Sequence, residues 1–314
     1  MRFGLVAIAR PTFDVAFAQE TAQCAAANLT DAGYEIVGSP NLSMDSASLA
    51  VALERLTASG IDALIILQAS FADSSLAVQA TEMDVPVVLW AFPEDRTGGR
   101  LRLNSFCGIN LAGYALTNNG RDYRWLYRSA DDPDAPSKIR GLLATDQHRS
   151  DIASVQDSVD FSSTATSAAE MARERLRSVT IGRVGERPEG FEPCGYEPEV
   201  LGEVLGVTVD EVSLPVLFER AEAANRSEVE TARLRAASFL SGMRDVDQGS
   251  LDRSLRLNVG LRSLIHDHGW SGVATRCWPE TFTEFGGAAC APMALLTDDG
   301  TPGMCEADVY GNIT

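Results

Sequence analysis

The sequence is poor in two residue types that often carry chemistry. It holds a single lysine, Lys138, and only three histidines among 314 residues. Asp and Glu number 44 against 26 Lys and Arg, for a net charge of −18. A chain so short of cations argues against nucleic acid or anionic membrane as partners, since both need a basic face to displace counterions. No run reaches the ~18 uncharged apolar residues of a membrane-spanning helix. The apolar start, residues 1–9, is too short for a secretion signal and lacks its layout, so it reads as a buried first strand of a cytoplasmic protein. There is no G-x-S-x-G and no GK[ST], which removes support for a nucleophile elbow or a phosphate loop. The six cysteines include no CxxC pair and lack zinc-site spacing, so free thiols in a reducing compartment are expected.

What is present is a strand–helix rhythm. Residues 3–9, 34–37, 63–67 and 85–90 are short, mostly apolar runs. Helical patterns over 14–32, 46–59 and 74–83 separate them, the first two ended by Gly33 and Gly60. Apolar runs that do not alternate indicate strands buried on both faces, and helices between them indicate βαβ units in a parallel sheet. A helix from about Ile109 and a strand near 123–127 complete this sheet. An acidic, proline-bearing break at 131–137 and a mixed stretch beyond it read as the crossing between domains. The pattern then restarts: strands at 178–184, 207–212 and 271–275, helices at 197–205, 214–242, 251–268 and 282–296. The expected fold class is α/β, with two successive Rossmann-like domains, 1–165 and 166–314, each a parallel sheet flanked by helices. Ligands of such sheets sit beyond the carboxyl ends of the strands.

Several loops at those ends could carry chemistry. Residues 96–100, Arg-Thr-Gly-Gly-Arg, could approach an anionic or polyhydroxyl group or form a solvated turn. His148 reads as an ordinary surface histidine. The loop from Gly185 to Cys194 packs Glu186, Arg187, Glu189 and Glu192 among two prolines and two glycines. It would either position a polyol or serve as an acidic surface loop. Arg276-Cys277-Trp278-Pro279-Glu280 follows a strand. Trp278 would cover sugar C–H groups while Arg276 and Glu280 bind hydroxyls, or it would simply be buried. Glu306 and Asp308 stand two apart after a short apolar run. On a strand both would face one side and could bind a hard divalent cation, or one could act as general base. At a helix start they would be an ordinary acidic pair. His266 and His268, at i, i+2 near a helix end, are poorly spaced for joint metal ligation.

Cys277-Trp278-Pro279-Glu280, Cys290, Asp299-Gly300-Thr301-Pro302 and Cys305-Glu306-Ala307-Asp308-Val309, with the Gly185–Glu192 loop, resemble the fucose/arabinose isomerase family. The likeness is to its shorter fucose isomerase-like members. It implies a cytosolic aldose–ketose isomerase using Mn²⁺ or another divalent cation, with two Rossmann-like domains before a β-rich C-terminal one. In that family a Glu, an Asp and a distant His hold the metal, and the Glu and Asp move a proton between sugar C1 and C2 through an enediol. Glu306 matches that Glu and is the candidate catalytic residue and metal ligand. Asp308 shares the motif but is not the family's second ligand. Arg187, Trp278 and Glu280 are the candidate sugar-binding residues. The partners implied are a small sugar and, at full length, other copies of the chain in a homo-oligomer. The chain ends at Thr314, so the expectation is of the N-terminal two domains without the C-terminal one, inactive alone. A non-catalytic sugar-binding or sensor protein is the rival reading.

Overall fold

The computed structural model describes residues 1–95, 101–144 and 162–314. The 96–100 loop and His148 lie outside the described residues. The chain divides into two compact units, Met1–Asp157 and Ser158–Thr314. The division expected at 165/166 falls inside a helix, α6 (Ser163–Leu176), of the second unit.

In the first unit, β1 (Arg2–Ile8) and β3 (Ala63–Gln68) are buried almost throughout. Phe3, Leu5 and Ala7 join Ala63, Ile65 and Leu67 in one core, covered by α1 (Val15–Asp31) and α5 (Ala135–Ala144). Val6, Ile8, Leu64 and Ile66 form a second core under α2 (Ser46–Ser59), α3 (Ser74–Ala80) and α4 (Ser105–Asn118). Successive side chains thus enter opposite cores, which is why these strands are apolar without alternating. With β2 (Glu35–Ser43), β4 (Val87–Ala91) and β5 (Arg124–Tyr127) the parallel order is β2-β1-β3-β4-β5. Asp14 and Asp45 cap α1 and α2 through the N–H groups of Phe17 and Ser48.

Three boundaries differ most from the expectation. β2 runs on to Ser43 because it is an edge strand, where Pro40 breaks no ladder on its open side. Its register with β1 shifts between Leu5 and Ala7. Gly38, at φ +108°, allows this: a Cβ there would stand 2.3 Å from the Leu5 carbonyl oxygen. α4 starts at Ser105, about one turn before Ile109. α5 begins within the stretch read as a break, because Pro136 in the first turn loses no intrahelical bond.

The second unit repeats the plan. Its strands β6 (Thr180–Val184), β7 (Thr208–Val212), β8 (Gly272–Thr275) and β9 (Gly303–Cys305) are parallel in the order β7-β6-β8-β9. The order reverses between β6 and β8, the switch point at which doubly wound sheets open a crevice. Val184 and Val273 pack under α8 (Leu214–Ala223), α10 (Gln248–His268) and α12 (Cys290–Asp298). Ile181 and Ala274 face Leu201 of α7 (Pro198–Leu205) and Val309 of α13 (Val309–Ile313).

Two expected helices are each divided. The 214–242 stretch breaks at Ala224, and Asn225 starts α9 (Arg226–Ala237) with a capping box to Glu228. The 282–296 stretch is a short α11 (Glu280–Thr283) and then α12, interrupted at Gly286, whose φ is +76°. The Gly286 carbonyl accepts a 2.8 Å bond from Arg253 Nε of α10, so tertiary contact overrides the local helical pattern. Among the described residues no helix is long and apolar enough to cross a membrane.

Gly182 of β6 is the tightest point of this unit. A Cβ there would meet the Trp270 ring at 2.1 Å, and the buried indole is fixed by its 2.8 Å bond to Asp210. Gly182→Ala should therefore destabilise the unit by about 1–3 kcal/mol, through overpacking. Urea unfolding followed by Trp fluorescence reads this as a lowered midpoint.

Candidate functional site

Three segments with polar chemistry leave the carboxyl ends of neighbouring strands β6, β8 and β9. The first leaves β6 at Gly185 (φ +79°), where a Cβ would press on Arg276 Cβ at 2.9 Å. Its chain runs through Arg187 and buried Phe191 to a 3-10 turn, Glu192–Cys194. Arg187 is half-buried, and its Nη1 is buried without a hydrogen-bond partner among the described residues.

The second segment follows β8. Arg276 grips Glu280 in a two-bond pair, Nε to Oε2 at 2.7 Å and Nη2 to Oε1 at 2.5 Å. Its Nη1 lies 3.4 Å from the carbonyls of Glu186 and Arg187, so it also ties down the first loop. The guanidinium keeps the Glu280 carboxyl below its usual range, against the upward pull of partial burial, the largest single influence on it. Both residues line a cavity of ≈ 520 Å³ with Arg183, Glu211, Ser213 and Glu284. Trp278 is half-buried, packs against the core under α8 and α10, and meets Phe282 at 5.5 Å between ring centroids.

The third segment corrects the strand reading of Glu306 and Asp308. β9 stops at Cys305, because Glu306 (φ 58°) and Ala307 (φ 54°) both adopt the left-handed conformation. The two carboxylates do not share a strand face. Asp308 instead caps α13, its Oδ1 accepting the Gly311 N–H at 2.9 Å. Two consecutive non-glycine residues in that region cost about 1–3 kcal/mol each and persist only where packing over-determines them. Here Ala307 is fully buried and its N–H bonds the Thr275 carbonyl at 3.1 Å.

That turn brings Glu306 to two cysteines. One ligand atom each of Cys277, Cys305 and Glu306 lies within 4.8 Å of the others. A hydrogen bond with Cys305, together with burial, holds the Cys277 thiol up. The same bond pulls the Cys305 thiol down. The buried sulfur keeps its proton, and negative charge is favoured on Cys305, which reaches solvent. Burial, then the charges of Asp308 and Glu306, push Cys194 up to about 12, while Arg187 opposes them. Burial and Cys305 raise Cys290. Cys277 and Cys305 therefore adjoin Glu306, and Cys194 and Cys290 lie within reach of its charge, a gathering the sequence spacing did not suggest. The available signal was that Cys277 and Cys305 each stand at a strand's carboxyl end.

Other residues with expected chemistry lie elsewhere. His268 Nδ1 is 2.8 Å from Asp210, His266 pairs weakly with Asp267, and neither joins the cysteine cluster. Asp299 receives Arg235 of α9 at 2.5 Å and Arg262 of α10, a tie between helices.

The fold and site define a two-unit, doubly wound α/β protein with its polar loops at the strand ends. Residues 4–143 match the family model described as the N-terminal domain of fucose/sulfoquinovose isomerases. The chain is 28% identical over 258 residues to a sulfoquinovose isomerase of Alkalicoccus urumqiensis, covering 81% of this chain and 52% of that protein. It is 24% identical over 310 residues to a sulfoquinovose isomerase of Priestia aryabhattai, covering 98% and 64%. Over these stretches the chain resembles the fucose isomerase-like family. It spans between half and two thirds of the length of these relatives. A solute-binding protein of an ABC transporter from Agrobacterium vitis, solved with alpha-D-tagatopyranose, aligns with 91% of this chain and 79% of its own. Its TM-score is 0.24 and its identity 12%, too low to bear on either fold or ligand.

The thiol ordering has a direct readout. In reduced protein with a chelator present, iodoacetamide at neutral pH should label Cys305 well before Cys194 and Cys277, because the thiolate is the reacting species. Peptide mass spectrometry over a time course measures the order.

Proposed function

We propose that this chain belongs to a cytoplasmic aldose–ketose isomerase acting on a small sugar, with sulfoquinovose as the first substrate to try. The relatives' names support the substrate class. The observation that carries the reading is Arg187 Nη1, buried without a hydrogen-bond partner among the described residues. Arg187 and Glu306 both act on the Cys194 thiol, so a cation and a carboxylate share the strand ends. A guanidinium with a spare N–H suits a hydroxyl or a sulfonate oxygen.

In the open-chain aldose the proton on C2 is acidified by the neighbouring C1 carbonyl. The Glu306 carboxylate accepts that proton, leaving an enediolate with its charge on O1; the O2 proton passes to O1, and Glu306 returns its proton to C1 to give the ketose. Arg187 orients the sugar through its oxygen atoms. Glu280, already paired with Arg276, shapes the neighbouring cavity and contributes acceptor oxygens rather than a free charge. Trp278 sets the apolar wall behind the loop. The assembly in this reading is the homo-oligomer that the resemblance implies. The net charge of −18 supports a partner list without nucleic acid or membrane.

A hard cation such as Mn²⁺ prefers carboxylate, carbonyl and water oxygens. Among the described residues Glu306 supplies such an oxygen, but the donors grouped with it are thiols. This set does not fit Mn²⁺, and no step is assigned to it.

The test uses protein expressed from its complete reading frame, assayed against sulfoquinovose, L-fucose and L-arabinose. Glu306→Gln should lower kcat by about 10²–10⁴-fold, the usual worth of a general base. Arg187→Ala should act mainly by raising KM for the preferred sugar. Undiminished turnover in Glu306→Gln would refute the assignment. Sugar bound without turnover by the unsubstituted protein would put the non-catalytic reading in its place.

A further inference from the structure

We propose that Cys277, Cys305 and Glu306 form a site for one thiophilic divalent cation, typified by Zn²⁺, with a fourth coordination position open to solvent. The proposal does not rest on the isomerase reading, since it concerns which ion these side chains prefer and is measured without sugar.

The geometry comes first. The three ligand atoms lie within 4.8 Å of one another. Tetrahedral zinc, with Zn–S near 2.3 Å and Zn–O near 2.0–2.2 Å, sets its donors about 3.5–3.8 Å apart. The distance to be closed is at most about 1.3 Å. Three protein ligands and one open position is also the arrangement of zinc sites that exchange a water or a substrate.

The backbone supplies an independent reason. Cys277 follows β8, Cys305 ends β9, and the left-handed residues Glu306 and Ala307 turn the chain immediately after it. An extended continuation would have carried Glu306 along the strand. The bond from the Ala307 N–H to the Thr275 carbonyl anchors this turn against β8, two residues before Cys277. Backbone strain is retained here, and its effect is to set a carboxylate beside two sulfurs. Cys305 reaches solvent, so an ion has an entry path to buried Cys277.

The chemistry selects the ion. Two thiolates and a carboxylate are a soft and borderline donor set, suited to zinc and disfavoured by manganese. On binding, the two thiol protons pass to water and two S–metal bonds form. No electron is transferred and no further reactant is needed. The bound ion would link β8 to β9 and stabilise the folded unit by mass action.

The experiment uses the full chain, reduced, stripped of metal with a chelator, and titrated with Co²⁺ as a spectroscopic stand-in. A thiolate-to-cobalt charge-transfer band should saturate at a single ion per chain. Equimolar Zn²⁺ should displace it, and Mn²⁺ at the same concentration should not. Cys277→Ser and Cys305→Ser should each weaken binding roughly 100-fold or more, since each removes one of three ligands. Cys305 is at the surface, so its variant is expected to keep the fold even where the Cys277 variant loses it, and circular dichroism checks both. Cys107→Ser, in the first unit, should bind as the parent does. Absence of the band, its survival in Cys305→Ser, or displacement by Mn²⁺ as effective as by Zn²⁺ would each overturn the proposal.

Discussion

A parallel sheet covered on both faces leaves little room for polar chemistry except at its ends. That constraint governs both units of this chain. The central strands β1, β3 and β8 bury nearly all their side chains, alternately into one core and the other. Polar and charged side chains there would lose water without gaining partners. Functional groups are therefore expelled to the loops, and in the second unit these loops leave adjacent strands β6, β8 and β9. The switch point between β6 and β8 sets the first two side by side.

Part of the acidic content is tied to local structure. Asp14, Asp45, Asp247 and Asp308 each sit before a helix and accept a backbone N–H of its first turn. These placements favour negative charge, because the first N–H groups of a helix have no partner within it. Other carboxylates are held by arginine, as at Arg220–Asp267 and Arg256–Asp252. Most of these pairs are solvated and contribute little each. Asp299 gathers Arg262 of α10 and Arg235 of α9, and these hold its carboxyl below the usual range.

At the site, the same residue types divide into structural and chemical roles according to what reaches them. Arg276 and Arg187 lie just past the ends of different strands, β8 and β6, yet of the two only Arg276 has its charge spent on a carboxylate, Glu280. Glu280 and Glu306 belong to neighbouring motifs, yet Glu280 opens on the β6–β7 cavity and Glu306 on the cysteines. Asp308, which shares a motif with Glu306, is consumed by a helix cap. Glu306, the carboxylate proposed to react, is thus distinguished by its turn and its neighbours, not by its residue type.

Local pattern along the chain is enough for the parts of the structure that depend on nearest neighbours. The continuous apolar runs mark the doubly buried strands. The glycines that end α2, α7 and α10, at 60, 206 and 269, all have positive φ, as a helix stop requires. The loops that carry Arg187 and Arg276 were legible as strand exits for the same reason. What tertiary structure decided is which of those loops meet, and which way their side chains point. The pattern over 303–309 left Glu306 and Asp308 open between one strand face and a helix start; the buried turn at Ala307 against β8 separates them and sets Asp308 at a helix start. Four cysteines from 194 to 305 converge because sheet order, not chain order, makes β6, β8 and β9 neighbours. Local pattern carries no record of that order, since strand pairing is fixed by burial of the whole unit at once.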